Sequence, residues 1–277
     1  MSKKRRLIFI AVWVLCATAF LVSSLLIGSA QKSETIKEAM RDAVLHETNK
    51  ISFFGILDVN PAVVSAYTVT FLILIFAAAV RIFFVPRFKE IPGKFQLLIE
   101  EAVGFFDSLA KSNSPHKNYF LGSYVFTAGT YICLGTLFEL LGLQAITTEG
   151  HSISLPAPLA DINGAIALGV TSYLIILSGG ILGNGFKGML STLKEFSLPI
   201  SMSFRLFGAL LSGLLVTELV YYYVGLSFAL PVIVGVMFTA LHALIQTYVL
   251  TMLTAVFYGE VSEKTPKKDK KTRRKKI

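Results

Sequence analysis

Residues 196–259 read FSLPI SMSFRLFGAL LSGLLVTELV YYYVGLSFAL PVIVGVMFTA LHALIQTYVL TMLTAVFYG, a run in which Arg205, Glu218 and His242 are the only ionisable side chains apart from tyrosine. One bilayer crossing takes about 20 apolar residues, so this run is too long for one and suits two. Gly225-Leu226-Ser227 and Pro231 supply the break, which predicts two long helices over about 197–224 and 229–259. The composition agrees. Of 277 residues 54% are hydrophobic and 16% charged, where a soluble domain carries about 25% charge.

Four further stretches upstream have the length and polarity of a span: Leu7 to Ser29, Pro61 to Val80, Tyr119 to Phe138 and Ile162 to Phe186. The expected fold is all-α: a polytopic membrane protein with five core spanning helices, an N-terminal hydrophobic segment and one amphipathic surface helix. The organisation that follows is an N-terminal segment (1–30), an external loop (31–60), a membrane domain (61–260) and a basic tail (261–277). No internal repeat of solenoid or transporter length is found. Residues 1–30 fit two readings. Lys3-Lys4-Arg5-Arg6, the apolar stretch and Gly28-Ser29-Ala30 match a cleaved secretory signal, whereas the length of the apolar part matches a retained span.

Orientation comes from Lys and Arg, which are retained on the cytoplasmic side. The 82–118 connection holds Arg87, Lys89, Lys94, Lys111 and Lys117, and the 187–195 connection holds Lys187 and Lys194. Residues 261–277 carry nine basic residues against two acidic ones, out of 26 Lys+Arg and 17 Asp+Glu in the whole chain. The 140–160 connection and the Gly225 turn hold none. The expected placement is therefore multi-pass in the inner (plasma) membrane with the C-terminus cytoplasmic. Within 82–118, Phe95, Leu98, Ala102, Phe105 and Leu109 recur at helical spacing, which predicts an amphipathic helix lying on the membrane face or against a soluble partner.

Charge inside the span region is the informative remainder. Arg205, Glu218 and His242 sit within helices, with Glu139 and Asp161 near the outer ends of theirs. An Arg at mid-bilayer costs at least about 2.5–3.5 kcal/mol, so a functional role is the default. The structural alternative is a buried ion pair of Arg205 with Glu218. Thirteen residues separate them, about 20 Å along a helix axis, too far for contact on one straight helix. Gly208, Ala209 and Ser212 follow Arg205 at i+3, i+4 and i+7, a shallow stripe that admits a close partner helix. With an unpaired cation in that stripe, the partner is expected to carry an acid. On the last helix Thr239, His242 and Gln246 share a face. The plain reading is a satisfied core; the sharper one is a line of side chains that relays protons.

Other chemistries are excluded by context. Gly183-Asn184-Gly185-Phe186-Lys187-Gly188 fits G-x-G-x-x-G but does not open a helix after a strand, so a turn leaving the membrane explains it better than a dinucleotide. The Lys/Arg tail beside a span suits anionic lipid or acidic loops, not nucleic acid. Cys16 and Cys133 lie inside apolar runs, so neither a disulfide nor a metal site is expected. No cofactor is expected, and with no P-loop, zinc signature or nucleophile elbow the chain by itself is not an enzyme.

These residues resemble a family. Ser201-Met202-Ser203-Phe204-Arg205-Leu206-Phe207-Gly208-Ala209 resembles the S-x-R-L-F-G-N signature of subunit a of F-type ATP synthases. His242 through Tyr258 is similar to that family's last helix, and Pro158-Leu159-Ala160-Asp161-Ile162-Asn163 to its P-[ST]-A-D-[IV]-N helix start. Asn60-Pro61 and Leu140-Leu141-Gly142 fit in order, and the resemblance covers about 51–260. It implies a stator that forms two half-channels against a rotating ring of c subunits, with a subunit b stalk and the other ATP synthase subunits as partners. Arg205 would be the essential cation facing the ring carboxylate, with Gln246 close by on the neighbouring helix. Glu218, His242, Asp161, Glu139, Asn163, Thr239 and Ser212 would line the ion path, the proton being the first choice of ion. The chain departs from the pattern at Ala209, where the family has Asn, and at Leu214 and Thr239, which stand where an acid and a His are usual. Glu218 and His242 lie about one turn beyond those positions, so the pair is expected to have shifted by a turn and still to line the outer half-channel. The competing reading is a secondary transporter that binds an anionic substrate through Arg205; a passive scaffold explains the small-residue stripe but not the Arg.

Overall fold

The computed structural model describes residues 9–16, 18, 19, 22, 37, 41, 50–53, 57–116, 119–148, 150, 152–222 and 230–264. Most of the N-terminal segment, the Gly225 turn and the tail beyond 264 lie outside the described residues. From residue 50 on, the described residues form six α-helices and two small hairpins. Helix α1 (Pro61–Ala79) starts on Asn60, whose side chain accepts from the Ala62 N–H, with Pro61 in the first turn, where its missing N–H costs nothing. Its last turns widen into a π-helix (Val80–Phe84) and then a 3-10 turn (Val85–Arg87). Pro86 explains the change, since its ring crowds the preceding turn and cannot donate to it. The span thus runs on to Arg87, several residues beyond the expected Val80.

Helix α2 (Lys94–Asn113) carries most of the expected apolar stripe: Phe95, Leu98, Ala102 and Phe105 are exposed, whereas Leu109 packs with the buried Ala110 against the body, and Gln96 is buried on the Lys89 backbone. Helix α3 (Tyr119–Phe138) ends in a 3-10 turn (Glu139–Leu141) closed by Gly142 at φ +58°, a left-handed cap that glycine adopts without a Cβ penalty. Two hairpins were not expected in the connections. Strands β1 (Ile51–Phe53) and β2 (Leu57–Val59) pair antiparallel, as do β3 (Gln144–Ile146) and β4 (Ser152–Ser154). The Thr148 N–H donates to the Lys50 carbonyl at 3.0 Å and joins the two. Ile51 and Leu155 bury beneath them against Val69 and Phe138.

Helix α4 (Ile162–Leu193) is a hairpin of two helical arms. Gly185 breaks it at φ +62°, ψ −146°, and Gly188 then packs against the Gly180 carbonyl. Eight residues of unbroken helix would hold those two about 12 Å apart, so the chain reverses at Gly185. The glycine cluster is therefore a turn, as expected, but residues 186–193 return as a helical arm where a plain connection was expected. The Tyr173 hydroxyl fastens the arm by donating to the Thr192 carbonyl at 3.1 Å. Helices α5 (Ser197–Tyr222) and α6 (Leu230–Ser262) match the two helices read from the 196–259 run. Among the described residues five helices are long and apolar enough to cross a membrane, in line with an all-α polytopic fold.

Helix α6 is the hub, packed on α3, α4 and α5. Glycines let it and its neighbours approach closely: a Cβ on Gly179 would lie 2.7 Å from the Tyr258 ring, and one on Gly169 would strike Ser203 of α5. The buried centre is Leu121, Val125, Ile132, Ile176, Leu206 and Leu250.

Candidate functional site

Helix α5 has two faces. Met202, Leu206 and Leu210 recur every four residues and are 5% exposed or less, so they lock α5 into the bundle. The opposite face is open: Ser201, Phe204, Arg205, Gly208 and Ser212 are all exposed. The Arg205 guanidinium lies on that open face, with no hydrogen bond or ion pair recorded to any described residue. One turn on, a Cβ at Gly208 would meet no heavy atom within 4 Å. Met237, Leu241, Leu244 and Tyr248 of α6 form an exposed apolar row at helical spacing. The Ser212 hydroxyl, on the same open face, donates to the Ala209 carbonyl at 2.7 Å.

The polar line on α6 is present and turned mainly inward. Thr239 and Gln246 are 9% and 6% exposed, and His242 between them is half-buried. His242 meets α5 at Gly213, where a Cβ would come 3.3 Å from Nδ1, and its ring stands 5.9 Å from that of Phe238. The Gln246 Oε1 is buried without a hydrogen-bond partner among the described residues. An acceptor left in that state costs about 1–3 kcal/mol. No hydrogen bond joins Gln246 to Arg205. With Gly213 opposite His242 on antiparallel helices, residue 205 falls about 12 Å down the axis, roughly one turn past Gln246.

Thr136 of α3 is a polar residue that sequence reasoning missed. It is 1% exposed, and its Oγ1 is the other buried side-chain atom without a partner among the described residues. By helical spacing it shares the α3 face of Gly129 and Cys133, where the Thr247 hydroxyl of α6 donates to the Gly129 carbonyl at 3.4 Å. Glu139 is half-buried one turn beyond it. A hydroxyl three residues before an acid in an otherwise apolar stretch was the available signal.

Asp161 has a definite structural role. Its carboxylate caps α4 by accepting from the Asn163 and Gly164 N–H groups at 3.1 and 3.3 Å. Its other oxygen accepts from the Asn60 side chain at 3.1 Å, which ties the starts of α1 and α4 together. The Asn163 side chain is exposed. Glu218 lies on α5 near its end, and its side chain falls outside the described residues. The cap makes a checkable prediction. Asp161→Asn, which keeps a capping oxygen, should leave ion transport near wild type, and Asp161→Ala should lower thermal stability by about 1–2 kcal/mol. Loss of transport in the Asn variant with stability retained would put the carboxylate itself on the ion path.

Comparison with known proteins gives a concordant result. The family model described as ATP synthase A chain matches residues 63–259, from the first turn of α1 to the last turn of α6. The ATP synthase subunit a of Cereibacter sphaeroides (strain ATCC 17025 / ATH 2.4.3) is 25% identical over 193 residues, 65% of this chain and 74% of that protein. The subunit a of a second strain of the same species (ATCC 17029 / ATH 2.4.9) matches with the same identity and coverage.

Proposed function

The chain belongs to the ATP synthase A chain family, and on that premise we propose that it translocates protons as the stator subunit of an F-type ATP synthase, working against a ring of c subunits. It is a multi-pass membrane protein and a non-catalytic component of that complex. The observation that carries the reading is Arg205, a cation on the open face of α5 flanked by the exposed Phe204 and the vacant side of Gly208. In a bilayer an unpaired guanidinium there is costly. A small-residue gap beside it admits another helix, and a carboxylate on that helix would complete the ion pair. A ring of such helices would present one carboxylate after another.

The chemistry follows from the permanent charge. Guanidinium stays protonated at any working pH and stabilises the ionised form of an approaching carboxylic acid, which gives up its proton as it nears Arg205. The acid can pass only ionised, so protons cannot slip directly from one half-channel to the other. Thr136, Glu139, Asn163 and Glu218 lie at the ends of α3, α4 and α5 away from the tail, and Ser212, Thr239, His242 and Gln246 continue along α5 and α6 toward mid-helix. We assign them to the inlet half-channel. The Lys/Arg distribution supports a plasma-membrane location with the tail on the cytoplasmic side, and subunit b is the expected peripheral partner.

The test is ATP-driven acidification of inverted vesicles holding the assembled complex, with and without Na⁺. Acidification that does not require Na⁺, from a complex that copurifies with a c-ring, is expected. Uptake of an anion by this chain alone in liposomes would instead establish the transporter reading. In the same assay Glu218→Gln should slow acidification by about 10²-fold with assembly intact. An unaltered rate would remove Glu218 from the path.

A further inference from the structure

At the end of α1 away from the Asn60–Asp161 tie, the chain makes an elbow into α2 that frames an open cleft of about 480 Å³. Its walls are of two kinds. Phe84 and Phe95, with ring centroids 4.6 Å apart, give an apolar side, and Arg87, Lys89 and Lys94 give a cationic one. Gln96, 9% exposed, fixes the elbow: its Oε1 accepts from the Lys89 N–H at 3.0 Å and its Nε2 donates to the Lys89 carbonyl at 2.8 Å. The Gln96 Nε2 also donates to Glu100 at 2.8 Å. Glu90, the single acid of residues 80–93, is exposed and does not line the cleft. The twenty-residue helix α2 opens onto the cleft at Gly93 with no side-chain cap, so its first N–H groups and the positive end of its dipole add to the three cations.

The position selects the ligand. The cleft lies where a 27-residue span ends at Arg87, and Ile82, Phe83 and Ile91 around it are exposed to the surroundings of that span. A phosphate held there is within reach of acyl chains along α1, and three cations within eight residues suit an anionic headgroup. The geometry points to a binding site for one anionic phospholipid, its phosphate between Arg87, Lys89, Lys94 and the α2 N-terminus and its acyl chains along the end of α1. This rests on α1 crossing the membrane and not on the ion path, so it can fail while the function stands.

The experiment uses the assembled complex, delipidated in detergent and titrated with phosphatidylglycerol or phosphatidylcholine, with bound lipid counted by native mass spectrometry. Wild type is expected to retain one phosphatidylglycerol that the triple variant Arg87→Gln/Lys89→Gln/Lys94→Gln retains about tenfold or more weakly, with phosphatidylcholine retention alike in both. Gly93→Asp separates binding from folding. The site has open space and extended backbone, so Asp should cap α2 and leave thermal unfolding no lower, yet repel the phosphate and lose the lipid. Equal phosphatidylglycerol retention in wild type and both variants overturns the proposal. So does displacement of the lipid by millimolar inorganic phosphate, which would make this a site for free phosphate.

Discussion

Arg205→Ala is expected to reduce ATP-driven acidification of inverted vesicles about a hundredfold to a thousandfold, the scale seen when a preorganised donor is removed from a water-poor site. The complex should still assemble, because Arg205 holds no described neighbour: Met202, Leu206 and Leu210 carry the packing of α5 on the other face. Without the guanidinium, a ring acid keeps its proton past the stator, and the ring is free to turn without delivering its load. ATP hydrolysis is then expected to lose its coupling to transport. Arg205→Lys should recover little, since an ammonium can lose its proton when desolvated and lacks the planar fork that grips a carboxylate. An unchanged acidification rate in the Ala variant would sink the proposed mechanism.

Gly208→Leu is expected to be nearly as damaging by a different route. A Cβ at that position meets nothing within 4 Å in this chain and the residue is exposed, so thermal stability should stay within about 0.5 kcal/mol of wild type. The added bulk would stand on the open face one turn from Arg205 and hold a partner helix away. A displacement of about 1 Å at a reacting centre costs on the order of a hundredfold, and that is the expected fall in pumping. The pair of outcomes, stability kept and transport lost, identifies the open face as a working contact. Lost stability would place Gly208 in the chain's own packing, and full activity would leave the face without a partner.

Much of this architecture is written in the alternation of apolar runs and breakers. The 196–259 run holds two long helices, Ser197–Tyr222 and Leu230–Ser262, as its length required, and the stripe of α2 appears because Phe95, Leu98, Ala102 and Phe105 repeat at the helical period. The hairpins of β1–β2 and β3–β4 escaped notice because three-residue strands carry too few side chains to show a period of two. The helical arm 186–193 was hidden by a tertiary effect. It is held by Tyr173 and the Gly180–Gly188 approach, which no local propensity encodes. At the site, the isolation of Arg205 was legible from its cost in a bilayer. Asp161 was harder: Asp one residue before a helix is a cap, and here it caps, while its expected place on the ion path is left to the Asn substitution. Thr136 was overlooked because a hydroxyl in a helix can satisfy itself on the preceding turn, and only the packed structure shows that this one does not.

The tie between Asn60 and Asp161 joins residues 101 positions apart in the chain. In the proposed mechanism the part that stands still is dragged sideways at every step of the part that turns, and the drag enters through α5. The returning helix α4 braces α5 at Gly169, and its own starting end is moored to α1 by that amide–carboxylate clasp beside the packed residues Pro158–Ala160. Shear therefore has a short route from the working surface to the helix that stands furthest out, and the clasp is the rivet along it.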